Sequence, residues 1–321
     1  MNRHTESCDG DYTCEWSCAH SAYVRFLAGI TNALSRFAPA RTTLVDCAAG
    51  PSPQATFRSN HESMPAIANV SGIVFAVLLQ AGALSSVAVA QQKVLVYTRN
   101  YTPDGKGYVH ENIAASVAAI RKMGVEKGFA VDVSDDPGSF SDGNLKQYAA
   151  LVFSNSNNEA FATEGQKAAF KAFIQGGGGF VGIHSASGSQ RDWPYFWQVL
   201  GGKFLAHPKM QPFVVTVADP AFAAMKGVPA EFQWEDEAYF VDHRNPDIRP
   251  VLVIDRTKLL AVDPAKIPVD SFPNPLPVAW YHRFDGGREF YVALGHKKED
   301  YANPILYGII ANGIVWAMTG K

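Results

Sequence analysis

Three histidines, His110, His184 and His296, fall just past short apolar runs that read as β-strands. Histidine is the side chain best able to give and take protons near neutral pH, and its neutral imidazole also ligates metals. A fourth, His207, lies in Phe204-Leu-Ala-His-Pro208, and the acidic run Glu235-Asp236-Glu237 is followed by Tyr239. Imidazoles beside one carboxylate suit proton transfer next to a carbonyl, or a divalent ion such as zinc. There is no His-Glu-x-x-His, so the ligands of such an ion would come from distant loops. His243 and His282 read as core or surface histidines.

Several other chemistries are excluded. All four cysteines, Cys8, Cys14, Cys18 and Cys47, precede residue 48, so the rest of the chain has neither a thiol nucleophile nor a disulfide. Cys14-x-x-x-Cys18 has no second ligand pair at zinc-finger distance. The run Gly176-Gly-Gly-Gly179 precedes a strand, and no Lys-Ser/Thr follows it, so it does not read as a phosphate loop. Ser185 lacks both flanking glycines of a hydrolase elbow. A net charge of -2 leaves no broad basic surface for nucleic acid.

The elements that must carry these side chains alternate. Lys93-Val-Leu-Val-Tyr97 reads as a buried strand, residues 110–127 as a helix opened by His110, and 129–133 as a second strand. Residues 149–153 form a third. Thr163-Glu-Gly-Gln166 is a capping box starting a second helix, which the glycines from Gly176 end with a left-handed cap. Residues 180–183 form the fourth strand. Such alternation predicts an α/β doubly wound sheet, whose ligands bind beyond the carboxyl ends of the strands. Strand-like pieces at 213–217, 251–254, 277–281 and 289–294 predict an antiparallel extension of that sheet. Asn303 caps a last apolar helix with Pro304 at its first position.

The N-terminal third reads differently. Residues 64–90 hold the apolar run Ile73-Val-Phe-Ala-Val-Leu-Leu79 and end Ala88-Val-Ala90, the pattern of a secretory signal peptide too short for a stable membrane span. Residues 1–63 lack periodicity and read as lying outside the native product, which leaves 91–321 as an exported, periplasmic or secreted domain.

Six motifs occur in order: Gly107-Tyr-Val-His110, Gly177-Gly-Gly-Phe-Val-Gly-Ile-His-Ser185, Phe204-Leu-Ala-His-Pro208, Asp236-Glu-Ala-Tyr239, Pro277-Val-Ala-Trp280 and Gly287-Arg-Glu-Phe-Tyr-Val-Ala-Leu-Gly-His296. Together they resemble the ThuA-like (trehalose-utilisation) family over residues 93–318. The resemblance implies a flavodoxin-like sheet similar to that of class I glutamine amidotransferases. Those enzymes keep a cysteine nucleophile where this chain has His184, so glutaminase chemistry by a thiolate is excluded. The resemblance further implies carbohydrate metabolism, with a small-molecule glycoside or 3-keto-glycoside as substrate. Carried over by motif, His110, His184, Glu237 and His296 are the expected catalytic set. Tyr108, His207, Asp236, Tyr239 and Trp280 are the expected substrate contacts, with the three aromatic rings packing against a sugar. His184 and His296 are the expected ligands if a metal binds. A glycosidase normally needs two opposed carboxylates, and the motifs offer acids only at Glu235 to Glu237. The competing expectation is a non-catalytic domain that holds a sugar or a partner.

Overall fold

The computed structural model describes residues 91–321. The expectations for residues 1–63 and 64–90 fall outside the described residues. The apolar runs form four parallel strands: β1 (Lys93–Tyr97), β2 (Ala130–Ser134), β3 (Ala150–Ser154) and β4 (Gly179–Ile183). They pair in the spatial order β2-β1-β3-β4. β3 and β4 are buried at every position, as strands covered on both faces must be. Helices α1 (Ile113–Lys127), α2 (Glu164–Gln175), α3 (Pro194–Leu200) and α4 (Pro304–Thr319) pack on the sheet.

Seven more strands follow: β5 (Lys203–Ala206), β6 (Gln211–Val217), β7 (Glu231–Asp236), β8 (Phe240–Asp242), β9 (Arg249–Ile254), β10 (Leu276–His282) and β11 (Arg288–Val292). The nine-stranded sheet runs β2-β1-β3-β4-β11-β10-β9-β6-β7, and β5 pairs with β8 apart from it. β11 is the joint: it lies parallel to β4 on one side and antiparallel to β10 on the other. The expected antiparallel extension is therefore present. Aromatic rings fill the core on both faces. Phe153 meets Phe180 at 5.2 Å and Phe196 at 5.4 Å, and Phe222 meets Trp316 at 5.0 Å. Each such ring buried contributes roughly 1.5–3 kcal/mol.

Local signals decide the ends. Thr163 and Gln166 form the capping box of α2, and Asn303 caps α4 through the Ile305 N–H. The left-handed residue after α2 is Gly177, at φ 84°, inside the glycine run 176–179. Helix α1 starts at Ile113, not at His110, so His110 belongs to the loop after β1. β5, β7 and β8 had no expected counterpart. Among the described residues, no helix is long and apolar enough to cross a membrane.

Candidate active site

Parallel strands end at one edge, and that edge carries the histidines. His184 follows β4 directly, His296 lies four residues beyond β11, and His110 lies in the loop after β1. The chain passes from β1 to β2 on one side and to β3 on the other, so these loops flank the switch point where open α/β sheets bind ligands. β7 is the far edge strand, yet its last residue, Asp236, accepts the Gly295 N–H at 2.7 Å. The extension thus brings Glu237 over the same edge.

The four groups converge. His110, His184, Glu237 and His296 each offer a donor atom, and these atoms lie within 4.8 Å of one another. Nδ1 of His296 is 3.1 Å from Glu237 Oε2 and 3.3 Å from Nε2 of His184. Nε2 of His184 is 3.8 Å from the same carboxylate oxygen, and Nε2 of His207 is 3.6 Å from its other oxygen. Donor atoms ~2.0–2.1 Å from one tetrahedral ion stand about 3.3 Å apart, so the His184–His296–Glu237 spacing fits such an ion.

Backbone and side chains hold each group in place. His184 has φ 50°, a left-handed conformation costing about 1–3 kcal/mol that is tolerated when its surroundings fix it. Nδ1 of His184 faces the Ala293 carbonyl at 2.7 Å, so it carries the proton and leaves Nε2 bare. The Gly295–His296 turn is gripped from two sides. Asp236 accepts the Gly295 N–H and, at 3.4 Å, that of His296. Asn112 donates Nδ2 to the Gly295 carbonyl at 2.6 Å and the His296 carbonyl at 2.9 Å. Asn155, itself left-handed at φ 53°, accepts from Asn112 and donates to Tyr301.

Electrostatics divides the histidines. Burial, with His184 and His296 nearby, pushes His110 down to about 3. Burial pushes His184 down to about 4, against the Ala293 carbonyl and Glu237. Both are neutral at physiological pH. His296 is raised, by its hydrogen bond to Glu237 against partial burial. Burial would raise Glu237, but the bond from His296 and the neighbouring His207 and His184 outweigh it and hold the carboxyl below its ordinary range. Burial raises Asp236, opposed by N–H donors from Gly295, Trp234 and Glu237.

A cavity of about 340 Å³ opens over the cluster. Tyr108, His110, His207, Glu237, Tyr239 and His296 line it. His184 lies beneath, fully buried, and reaches the others through Nε2. Two expected substrate contacts are corrected. Trp280 is buried in the core with its Nε1–H on the Leu200 carbonyl and its ring on Tyr291, so it cannot face a sugar. Asp236 is also fully buried, and its carboxylate is consumed by backbone and indole N–H groups. It positions the turn and contacts no ligand. Sequence reasoning missed Asn157, Arg191 and Phe204, which complete the wall. Arg191 is aimed by the Gly188 carbonyl and Asn157 Oδ1, both at 3.0 Å. Asn157 and Arg191 are brought together only by the fold and no motif spacing marks them, whereas Phe204 opens the Phe204-Leu-Ala-His-Pro208 motif.

A flavodoxin-like sheet with histidines and one carboxylate at its carboxyl edge, and no cysteine at the turn after β4, defines a ThuA-like protein of the glutamine amidotransferase-like fold. Residues 93–317 match the family profile described as ThuA, trehalose utilisation, and the chain belongs to that family. Among solved structures, a ThuA-like protein from Bacteroides uniformis is similar at 22% identity and TM-score 0.57, covering 74% of this chain and 95% of its own. One from Parabacteroides merdae is similar at 18% identity and TM-score 0.56, covering 72% and 91%. A search of curated proteins finds no match.

Proposed function

We propose that the chain is an exported enzyme of carbohydrate metabolism that moves a proton beside a carbonyl of a glycoside oxidised to its 3-keto form. The observation that carries this reading is the Glu237–His296 contact of 3.1 Å at the floor of a small cavity, with His207 and His184 around the same carboxylate. Export is supported by the apolar run and Ala88-Val-Ala90 ending of residues 64–90.

Glu237 is ionised because His296 shares its proton with it. In this reading, the carboxylate removes the proton from the carbon next to the keto group. His296 then gives its proton to the developing enolate oxygen, so both groups end with one proton exchanged. Where a glycosidic oxygen lies β to the carbonyl, the enol returns its proton to His296 as the carbonyl re-forms and the C–O bond breaks, and the departing oxygen takes the proton held by Glu237; otherwise that proton returns to a neighbouring carbon and the sugar isomerises. Tyr108 and Tyr239 supply aromatic walls for the ring. The neutral, buried His184 holds the geometry through Tyr239 and His296.

The donor set also suits a divalent ion such as zinc, held by His110, His184, Glu237 and His296. A bound ion would polarise the keto oxygen. The unpartnered Nδ1 of buried His110 is consistent with a ligand that completes the cluster.

The test is turnover of paired glycosides and 3-keto-glycosides by residues 91–321, with and without added zinc, following solvent deuterium into the sugar. Exchange or cleavage of keto substrates, lost on Glu237→Gln, is expected. Binding without exchange in any arm would replace the enzyme by a sugar-binding domain. Metal analysis reads the ion separately: stoichiometric zinc lost on His184→Ala supports it, and none retained overturns it.

A further inference from the structure

Arg191 is the only lysine or arginine in the wall of the active-site cavity, and it is exposed. Both oxygens that hold it are neutral: Nε donates to the Gly188 carbonyl and Nη2 to Asn157 Oδ1. These bonds occupy one edge of the planar guanidinium. The other edge, Nη1 with the second N–H of Nη2, has no partner among the described residues. The placement is a built one. A Cβ at residue 188 would collide with Asn157 Oδ1 and stand 2.9 Å from Nη2, so glycine there is what admits the arginine. The Phe204 ring lies 5.5 Å from the guanidinium carbon. The acids around it are engaged elsewhere. Asp192 accepts from Gln190 Nε2 at 2.8 Å, and Glu159 pairs with Arg99 at 2.9 Å. Glu237 is ringed by His184, His207 and His296.

We infer that Arg191 is a specificity-determining residue that receives an anionic group of the substrate, a carboxylate or a phosphate ester, on its free edge. This rests on the carbohydrate reading of the same cavity and narrows the substrate to an acidic glycoside. The parallel N–H groups of a guanidinium edge match two oxygens of either anion. Charge balance points the same way. Glu237 is the only carboxylate of the cavity wall, and it faces imidazoles. A cation held by the histidine cluster would add positive charge and offset none. Hydroxyl groups could accept the free N–H bonds. Once a substrate displaces water, however, they would leave the charge desolvated and without a counter-ion, which is costly. Arg191 also lines an adjoining cavity of about 390 Å³, together with Glu159 and Asp192, so the anionic group lies at the border of the active-site cavity.

The experiment is calorimetric binding to the purified chain and to Arg191→Gln, with melting temperatures as a fold control. The probes are methyl glucoside, methyl glucuronide and methyl glucoside 6-phosphate, with phenyl glucoside and its carboxyphenyl counterpart. At least one anionic probe should bind the wild type roughly 10- to 100-fold more tightly than its neutral parent. That gap should fall to near unity in Arg191→Gln. It should survive in part in Arg191→Lys, which keeps the charge and loses the fork. The carboxylate and phosphate arms identify which oxyanion the site takes. No gap in the wild type, or a gap that Arg191→Gln leaves intact, overturns the subsite. The two readings separate: Arg191-dependent binding of an anionic probe, with no turnover of any keto-glycoside, sinks the enzyme and keeps the subsite. Turnover with no preference for an anion does the reverse. No binding of any probe overturns the subsite outright.

Discussion

The hydroxyl of Tyr239 lies 2.9 Å from Nε2 of His184. Burial, with Glu237 nearby, holds the phenol well above its ordinary pKa, so the hydroxyl keeps its proton and donates it. His184 gives its own Nδ1 proton to the Ala293 carbonyl. The bond therefore fixes which nitrogen is bare and which way the ring faces. Tyr239→Phe removes the nearer of the two groups that face Nε2 and leaves only His296 Nδ1, at 3.3 Å. It should lower keto-sugar turnover by about 10²-fold while costing only about 1 kcal/mol of stability. Unchanged turnover beside a shifted His184 nitrogen resonance would restrict Tyr239 to packing.

The His296–Glu237 pair sets a pH window. His296 is raised above 6.5 in the folded protein, so its share of stability is fully present below that value and is lost as pH rises through the higher folded pKa. Glu237 is lowered below 4.5, so its share is present above that value and is lost as pH falls through the lower folded pKa. Stability from the pair is greatest between the two limits. Glu237→Gln should flatten the melting temperature against pH on both flanks, as read by calorimetry from pH 3 to 9 (on the order of the span where both groups titrate). A profile that keeps its wild-type curvature would place the titration elsewhere.

Asn112 tests the grip on the catalytic turn. It is 1% exposed and binds both the Gly295 and His296 carbonyls. Asn112→Ala leaves the Gly295 carbonyl to the Tyr301 hydroxyl alone and removes the side-chain donor from the His296 carbonyl, at a cost of about 1–3 kcal/mol. If the grip orients His296, kcat should fall with KM nearly unchanged, and the pH profile of kcat should shift. A proportional loss of folded protein, with normal kinetics in the remainder, would make Asn112 structural only.

Glu289 lies at the opposite end of β11 from His296, fully buried with both carboxyl oxygens unpartnered. Burial, with Asp285 adding, raises its pKa from 4.5 to about 8. The folded chain then binds this proton more tightly than the unfolded one, so stability falls as pH rises from 4.5 towards 8. Glu289→Gln should gain at least about 1 kcal/mol at pH above that range, roughly 2–4 °C for a domain of this size. Near pH 4 the two proteins should melt alike (both carrying a neutral group, by roughly the ordinary glutamate pKa). Equal melting temperatures at high pH would count against a buried neutral carboxyl.

Much of the parallel half was legible in the chain. Runs such as Ala149-Ala-Leu-Val-Phe153 are short, apolar and bounded by turns, which is what a doubly covered strand requires. The three strand-end histidines were legible for the same reason. The antiparallel half was harder. Glu231–Asp236 alternates strictly, with Phe232, Trp234 and Asp236 inward, but a buried aspartate breaks the apolar pattern that marks a strand. Asp236 points inward because the N–H groups of Trp234 and Gly295 await it, and Gly295 lies 59 residues away in sequence. Trp280 misled in the opposite direction. A tryptophan in a shared motif suggests a sugar platform, yet its indole N–H is bound to the Leu200 carbonyl inside the core. His110 was placed in a helix because the apolar spacing of α1 begins close behind it. The helix start at Ile113 frees it to join the cluster.

The position of β11 has a consequence for biogenesis. Among the described strands it comes last in chain order, yet it occupies the middle of the sheet, beside β4, and the His184–Ala293 bond spans 109 residues. The nascent chain therefore holds an open β4 edge until β11 has been synthesised. Closing contacts so distant in sequence is slow, and an unpaired edge invites association with other chains. C-terminal truncation before residue 288 should thus yield aggregating chains and not a smaller folded domain, and escorting the unfinished edge becomes a task for the cell's folding machinery.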